Sequence, residues 1–423
     1  MWLLSRDRTV RTGSWTRGAL SSGCFSKTLV ILGMAGLLTS APAHAGAEEV
    51  RVVPTLSLRQ QFTDNYRYTS RMEEATMTTV TPGIELSVKT ERLEASASAL
   101  MDCLANFVRN EGYLGAVNQN YNGSISYLTS PTTQVSGRAS YLDQPSPEQP
   151  LAVNGVLISP ARLSQQAYGG SGGWRISELL GSSFQYDYSR YDYSPPTASI
   201  NTTNAFSAGL TYELEEGSIS QATLSAGLAR YSFDSAAQQS SADNYYLTVG
   251  ANHTFSERWR VSADAGGRYT RSNYSLFSRN NGFGPASVSD GLGFIAHLNV
   301  NYHTDRSSAD LIVKHDLEPG SGSTAVTNTT TVYLTASHRY SEDFSTSLTA
   351  GYTKRTTGQI NSAIQGANEN VVSISSGVNY TVTPDLAAGV SYTYSRTFYG
   401  APQPDVYQNL VYVGLTWKRN LFD

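Results

Sequence analysis

The chain has 423 residues, only 15% of them charged, with 30 Lys and Arg against 34 Asp and Glu, 27 tyrosines, 36 glycines and two cysteines. A net charge of −4 offers no basic footprint for nucleic acid, and two cysteines supply neither a zinc cluster nor a haem-attachment motif. Beyond residue 45 no apolar run approaches the roughly eighteen residues a membrane helix needs, and no amphipathic helical period or continuous buried strand is sustained.

The first 45 residues differ from the rest. Arg6, Arg8, Arg11, Arg17 and Lys27 precede an apolar run from Thr28 to Thr39, followed by Ala43-His44-Ala45. This pattern predicts a secretory signal peptide over 1–45, with a mature domain over 46–423. The apolar run follows Cys24 instead of preceding it, which excludes a lipoprotein reading. Losing five basic residues and one acidic residue with the leader leaves 25 Lys and Arg against 33 Asp and Glu, and Cys103 as a lone thiol with no internal disulfide. The short stretch before Val52 leaves no room for a plug, so an energised siderophore transporter is not expected.

In chain order, Val52, Pro54, Leu56, Leu58 and Phe62 share one parity while Thr55, Ser57, Arg59, Gln61 and Thr63 share the other, which is a strand with one apolar and one polar face. Val80, Pro82, Ile84, Leu86 and Val88 repeat it, then Leu93, Ala95, Ala97, Ala99 and Met101 after a tight turn at Thr90-Glu91-Arg92. The most legible later copies start at Leu292, Ala309, Val332 and Val372, and each strand is expected to run about ten to fourteen residues. Short turns are placed at Glu91, Pro131, Glu178, Glu216, Glu257, Asp305, Glu342 and Pro384. Eight short turns alternating with nine longer polar loops give about eighteen strands (16–20).

A sheet with free edges cannot satisfy its backbone in lipid, so these strands must close. The expectation is an all-β, transmembrane antiparallel β-barrel of the bacterial outer membrane. Short turns and both termini lie in the periplasm, and longer loops are extracellular. Its partners are outer-membrane lipid and the barrel assembly machinery. Tyr66, Tyr68, Tyr186, Tyr188, Tyr191, Tyr193, Trp259, Tyr340, Phe344, Tyr392, Tyr394 and Trp417 are assigned to interface girdles. The last strand, Asn409 to Lys418, is aromatic-rich, although the chain ends on Asp423 after Phe422.

No GxSxG, Walker or HExxH motif occurs, and no catalytic, cofactor-binding or metal residue is assigned. His253, His315 and His338 fall on lipid-face parity near strand ends. His297 faces the lumen, with Asp310 expected beside it on the neighbouring strand as the sole acid–base candidate. Parity puts Arg59, Lys89, Arg138, Arg175, Arg260, Arg268, Lys314, Arg339, Arg355 and Lys418 in the lumen, with Glu85, Glu94, Asp102, Asp187, Glu213, Asp264 and Asp310 of opposite sign. Either these form cross-strand pairs that hold the polar face together, or they form a selectivity surface for a passing solute. The run Gly169-Gly170-Ser171-Gly172-Gly173 reads as room for curvature or a neighbouring aromatic rather than a ligand loop. The stretches 143–161 and 271–290 read as long loops, placed either over the surface or folded inward.

Pro54-Thr55-Leu56-Ser57-Leu58 followed by Phe62-Thr63-Asp64-Asn65-Tyr66 resembles the start of the β-barrel porins encoded in exopolysaccharide gene clusters. The resemblance spans the mature chain in architecture but only about fifteen residues in motif. It implies export of an extracellular or capsular polysaccharide across the outer membrane, in partnership with a periplasmic polysaccharide-export protein. A general porin for small hydrophilic solutes, or a structural sleeve around another protein, are the alternatives. In none of the three is the chain expected to be an enzyme.

Overall fold

A computed structural model describes residues 49–108, 112–144, 162–194, 199–214, 219–235, 238–278, 282–283, 287–319, 326–357, 369–399 and 404–421. Alternating sequences of this kind form strands because each one offers a polar and an apolar face to opposite sides of a pleated sheet. Eighteen of them build the wall: β1 (Glu49–Thr63), β2 (Ala75–Lys89), β3 (Leu93–Val108), β4 (Gly112–Ser130), β5 (Thr133–Gln144), β6 (Leu163–Arg175), β7 (Leu180–Tyr193), β8 (Ser199–Glu213) and β9 (Ser220–Ser235). They continue as β10 (Gln238–Ser256), β11 (Trp259–Ser278), β12 (Ser287–His303), β13 (Ser307–Pro319), β14 (Val326–Arg339), β15 (Phe344–Thr357), β16 (Glu369–Thr383), β17 (Leu386–Tyr399) and β18 (Val406–Lys418). A two-residue strand, Gly282–Phe283, pairs with Phe277 and Ser278 outside the barrel sheet.

Every neighbouring pair is antiparallel, and β1 pairs with β18 from Thr55↔Lys418 to Thr63↔Leu410, so the sheet closes. Seven of the eight expected turns join strands among the described residues. The eighth, at Glu216, lies outside them, between the paired ends Glu213 and Gln221. Both Glu49 and Lys418 sit at this turn end of the barrel.

The wall departs from expectation in length. Strands run from 12 residues in β5 to 20 in β11. Residues 271–278 and 287–290, read as loop, are extensions of β11 and β12. The connections at the opposite end are not uniformly long either: Val108 and Gly112 are almost contiguous, as are Ser235 and Gln238. The stretch 145–161 lies outside the described residues.

The outward face is what lipid requires. Leu56, Leu58, Phe62, Ile125, Val135, Leu224, Leu247, Val249, Ile374, Val413 and Leu415 are all exposed. At the turn end Trp259 packs on Tyr302 with ring centroids 4.7 Å apart and the rings tilted at 44°, and Tyr340 lies beside Phe344 at 5.5 Å. Nearer the loop end Tyr168–Tyr188 and Tyr245–Tyr269 stack. Two aromatic belts flanking an apolar band characterise a transmembrane barrel. Four of the assigned girdle residues belong elsewhere: Tyr191 and Tyr193 have lumen parity, and Tyr66 and Tyr68 belong to the loop after β1.

Cys103 takes part in a disulfide. The lone thiol is expected of the chain without residues 1–45, and the only other cysteine, Cys24, lies in that segment, outside the described residues.

Candidate functional site

Lumen-facing positions follow directly from strand register. Ser and Thr dominate them and pair across strands: Ser57 with Thr416 at 3.0 Å, Ser96 with Ser124 at 2.7 Å, Ser136 with Ser171 at 2.6 Å, Ser308 with Ser337 at 2.7 Å and Thr393 with Ser375 at 2.9 Å. Each hydroxyl used in such a pair keeps a further acceptor site free toward the lumen. The turn-end half is therefore a neutral, hydrogen-bonding wall. A cavity of about 700 Å³ opens on it, lined by Glu85, Ser87, Ser96, Asn122, Ser124 and Arg138 among others.

The charged residues assigned to the lumen all have inward parity, and several are neutralised locally by an ion pair. Lys418 bonds Glu85 at 3.0 Å, joining β18 to β2 across β1. Asp102 accepts from Thr81 at 2.6 Å. Arg138 reaches Asp187 at 2.5 Å although β6 lies between them. Register aligns Arg138, Gly169 and Asp187 in one row, and a Cβ at Gly169 would lie 2.6 Å from the Asp187 carboxylate and 2.7 Å from Arg138 Nε. Only glycine lets the guanidinium cross that strand. Gly172 has a different use: on the outer face its missing Cβ makes room for the Phe184 ring. The glycine run thus provides room, as expected, once for an aromatic and once for an ion pair.

Arg59 lies over the Tyr412 ring at 5.8 Å, and Arg339 donates to the Asp305 carbonyl at 2.8 Å in the turn. Lys89, Glu94, Arg175, Glu213 and Arg260 occupy the turn-end rim. Neither sign of charge prevails around that rim.

The expected His297–Asp310 pair is not formed. The hairpin between β12 and β13 sets His297 opposite Lys314 and gives Asp310 to Asn301, whose side chain donates to it at 2.5 Å. His297 Nδ1 instead meets Asp264 Oδ2 on the preceding strand at 3.0 Å, and Nε2 lies 3.9 Å from Asp316. Lys314 continues the cluster, 2.7 Å from Glu318 and 3.9 Å from Asp316. Parity places Asp264 in the lumen, but its pairing with His297 follows from the register of β11 with β12. The outward histidines are held by hydroxyls: His253 by Ser220 at 2.7 Å, His338 by Ser307 at 2.8 Å and His315 by Thr330 at 2.8 Å.

Toward the loop end the lumen is filled. Inward residues from around the wall are buried: Thr79 and Val108 at 0% exposure, Asn106 at 1%, Phe233 at 3%, Arg355 at 5% and Thr397 at 0%. Part of the filling is sheet. β13 pairs with β12 only from His303↔Ser308 to Ala296↔His315, leaving Ser287–Ile295 of β12 without a partner on that side among the described residues. β13 and β14 stay joined to Pro319↔Val326, and this paired tip, counted up to Pro319 and from Val326, lies inside the barrel. Leu317 and Val326, on outward parity, pack there with Ala229, Tyr231, Phe233 and Ala242 from the inner face of β9 and β10. Tyr231 donates to the Leu317 carbonyl at 3.2 Å, and Arg268 of β11 bonds the side chain of Asn328 in β14. Leu292, left uncovered on the outside, is 89% exposed. Among the described residues the inward-folding segment is thus a strand tip, and residues 271–278 and 287–290 belong to wall strands.

The seam between first and last strands is clasped at the loop end by the motif that carried the family resemblance. Asp64 accepts from the Asn409 backbone at 2.8 Å and its side chain at 2.6 Å. Asn65 donates to the carbonyls of Tyr407 and Thr69, both at 2.8 Å. Tyr68, held at a φ of 49°, puts its hydroxyl 2.9 Å from Thr397. Burial pushes this loop phenol up to about 12, against the opposing effect of the Thr397 bond.

No family model matches the chain, and no curated protein matches it. Among solved structures it is similar to the open form of the Escherichia coli ferric-catecholate import receptor Fiu, at 8% identity and a TM-score of 0.46, over 88% of this chain and 82% of that one. Pseudomonas aeruginosa OccK2 gives 11% identity and 0.42, over 89% and 99%. Acinetobacter baumannii OccAB3 gives 10% and 0.40, over 88% and 100%. The barrel itself rests on the pairing of this chain's own strands.

Proposed function

We propose that this protein is an outer-membrane channel for polyhydroxylated solutes, acting as a conduit and not as an enzyme, with its turns and both strand termini in the periplasm. The observation that carries this reading is the turn-end vestibule, whose hydroxyl and amide walls offer many weak, uncharged hydrogen bonds behind a lipid-compatible exterior. A solute with hydroxyl groups exchanges its water for such a wall at little cost, and pairing such as Arg138–Asp187 reduces the charge that faces it.

Export of an extracellular or capsular polysaccharide is the more specific reading. The Asp64-Asn65 motif supports it by resemblance, and so does a vestibule open on the side from which an exported polymer enters. A periplasmic polysaccharide-export protein then docks at the turn-end rim. The purified barrel in liposomes is expected to pass neutral oligosaccharides in a swelling assay. Deletion of the gene is expected to remove surface polysaccharide while its synthesis continues. Flux without a polysaccharide phenotype leaves a general porin, and absence of sugar flux both in the native barrel and after the loop-end packing is opened rejects the channel.

A further inference from the structure

The tucked tip of β13 and β14 carries the marks of a second position. Continuing the β12–β13 register past Ala296↔His315 sets Ile295 opposite Asp316, Phe294 opposite Leu317 and Gly293 opposite Glu318. In that position Leu317 returns to the outer face, where its parity and apolar character belong, beside Phe294 and over the uncovered Leu292. Arg268, Gly293 and Glu318 then form one row. It repeats the arrangement of Arg138, Gly169 and Asp187, in which an arginine crosses a glycine to a carboxylate two strands away. The floor for this crossing already exists: Arg268 lies flat on Gly293, where a Cβ would come 2.6 Å from its Nε.

In the tucked position both backbone groups of Leu317 are held by side chains. Its N–H donates to Asp316 Oδ1 at 2.6 Å and its carbonyl accepts from Tyr231. Arg268 spends one amino group on Asn328, and its Nε and Nη1 are buried without acceptors. Glu318 is held by Lys314. Buried donors without acceptors are costly, so the tucked state is satisfied by substitutes and leaves donors that the alternative would use.

We propose that the β13–β14 tip is a gate. Tucked under β9–β11 it closes the loop end of the lumen, and zipped onto the free edge of β12 it opens it, with the Tyr231–Leu317 and Arg268–Asn328 bonds exchanged for strand pairing and an Arg268–Glu318 ion pair. The gate rests on the channel reading, but the strand exchange is detectable without transport.

The test uses the Phe294→Cys, Leu317→Cys double variant in outer membranes, followed by conductance in planar bilayers. Directly opposed residues in a zipped pair are close enough for a disulfide. Oxidation is expected to yield the linked 294–317 peptide by mass spectrometry and a several-fold higher conductance that falls on reduction. In the otherwise native chain, Tyr231→Phe is expected to raise the open fraction and Glu318→Gln to lower it. Absence of the linked peptide, with an intact heat-modifiable barrel and unchanged gating in both single variants, overturns the exchange. A linked barrel that conducts no better than the unlinked one removes the gate, and one that never conducts in either state removes the channel reading while the strand exchange stands.

Discussion

Gly169 shows how little separates a neutral wall from a charged one. The Arg138–Asp187 pair is partly exposed, so on its own it is worth about 0–1 kcal/mol. Its larger effect is to cancel two charges facing the vestibule. Gly169→Val and Asp187→Asn break the same contact, and residues in contact are expected to be non-additive. Urea unfolding of the two single variants and the double variant should therefore show a double-variant loss well below the sum of the singles. Simple additivity would mean that Gly169 serves backbone packing alone. Gly293 offers the same crossing to Arg268, with the carboxylate elsewhere in the closed state.

Among the strands, parity decides tolerance to charge. Leu298 faces lipid near the middle of β12, and Asn299 next to it faces the lumen. Leu298→Arg is expected to cost about 2–4 kcal/mol at mid-bilayer depth and to lower the yield of folded barrel on heat-modifiability gels. Asn299→Arg should assemble as the native chain does, and equal losses would refute the register. This level of structure was legible in the sequence, because a period of two is written residue by residue and the turns at Glu91, Glu257 and Pro384 punctuate it. Contacts between strands were less legible. His297 finds Asp264 and not Asp310 because the Thr304-to-Arg306 turn fixes which residues stand opposite, a matter of backbone geometry that composition does not carry. The tucked tip was invisible for a stronger reason: Leu317 and Val326 have the parity of lipid-facing residues, and nothing local says that their strand leaves the wall.

Across the whole molecule, the lumen is asymmetric, with hydroxyl-lined space at the turn end and packed side chains and strand tip at the loop end. Closure of the wall depends on one seam. Deleting Val406–Lys418 leaves the outward edge of β1 unpaired, and a free edge in lipid is not tolerated. The truncated chain is therefore expected to be absent from outer-membrane fractions and to be degraded, as read by fractionation and immunoblotting. Its recovery as a heat-modifiable barrel would show that β17 can close directly on β1.

The clasp at that seam also sets a clock. Asp64 and the Asn409 that completes it are 345 residues apart, which at about 5–20 residues per second of synthesis is a delay of about 20–70 s. Throughout that interval the first strand exists without the partner that makes it safe in a membrane. The chain must therefore be kept from inserting until its last strand exists, and its fate before insertion is decided by whatever shields that waiting edge.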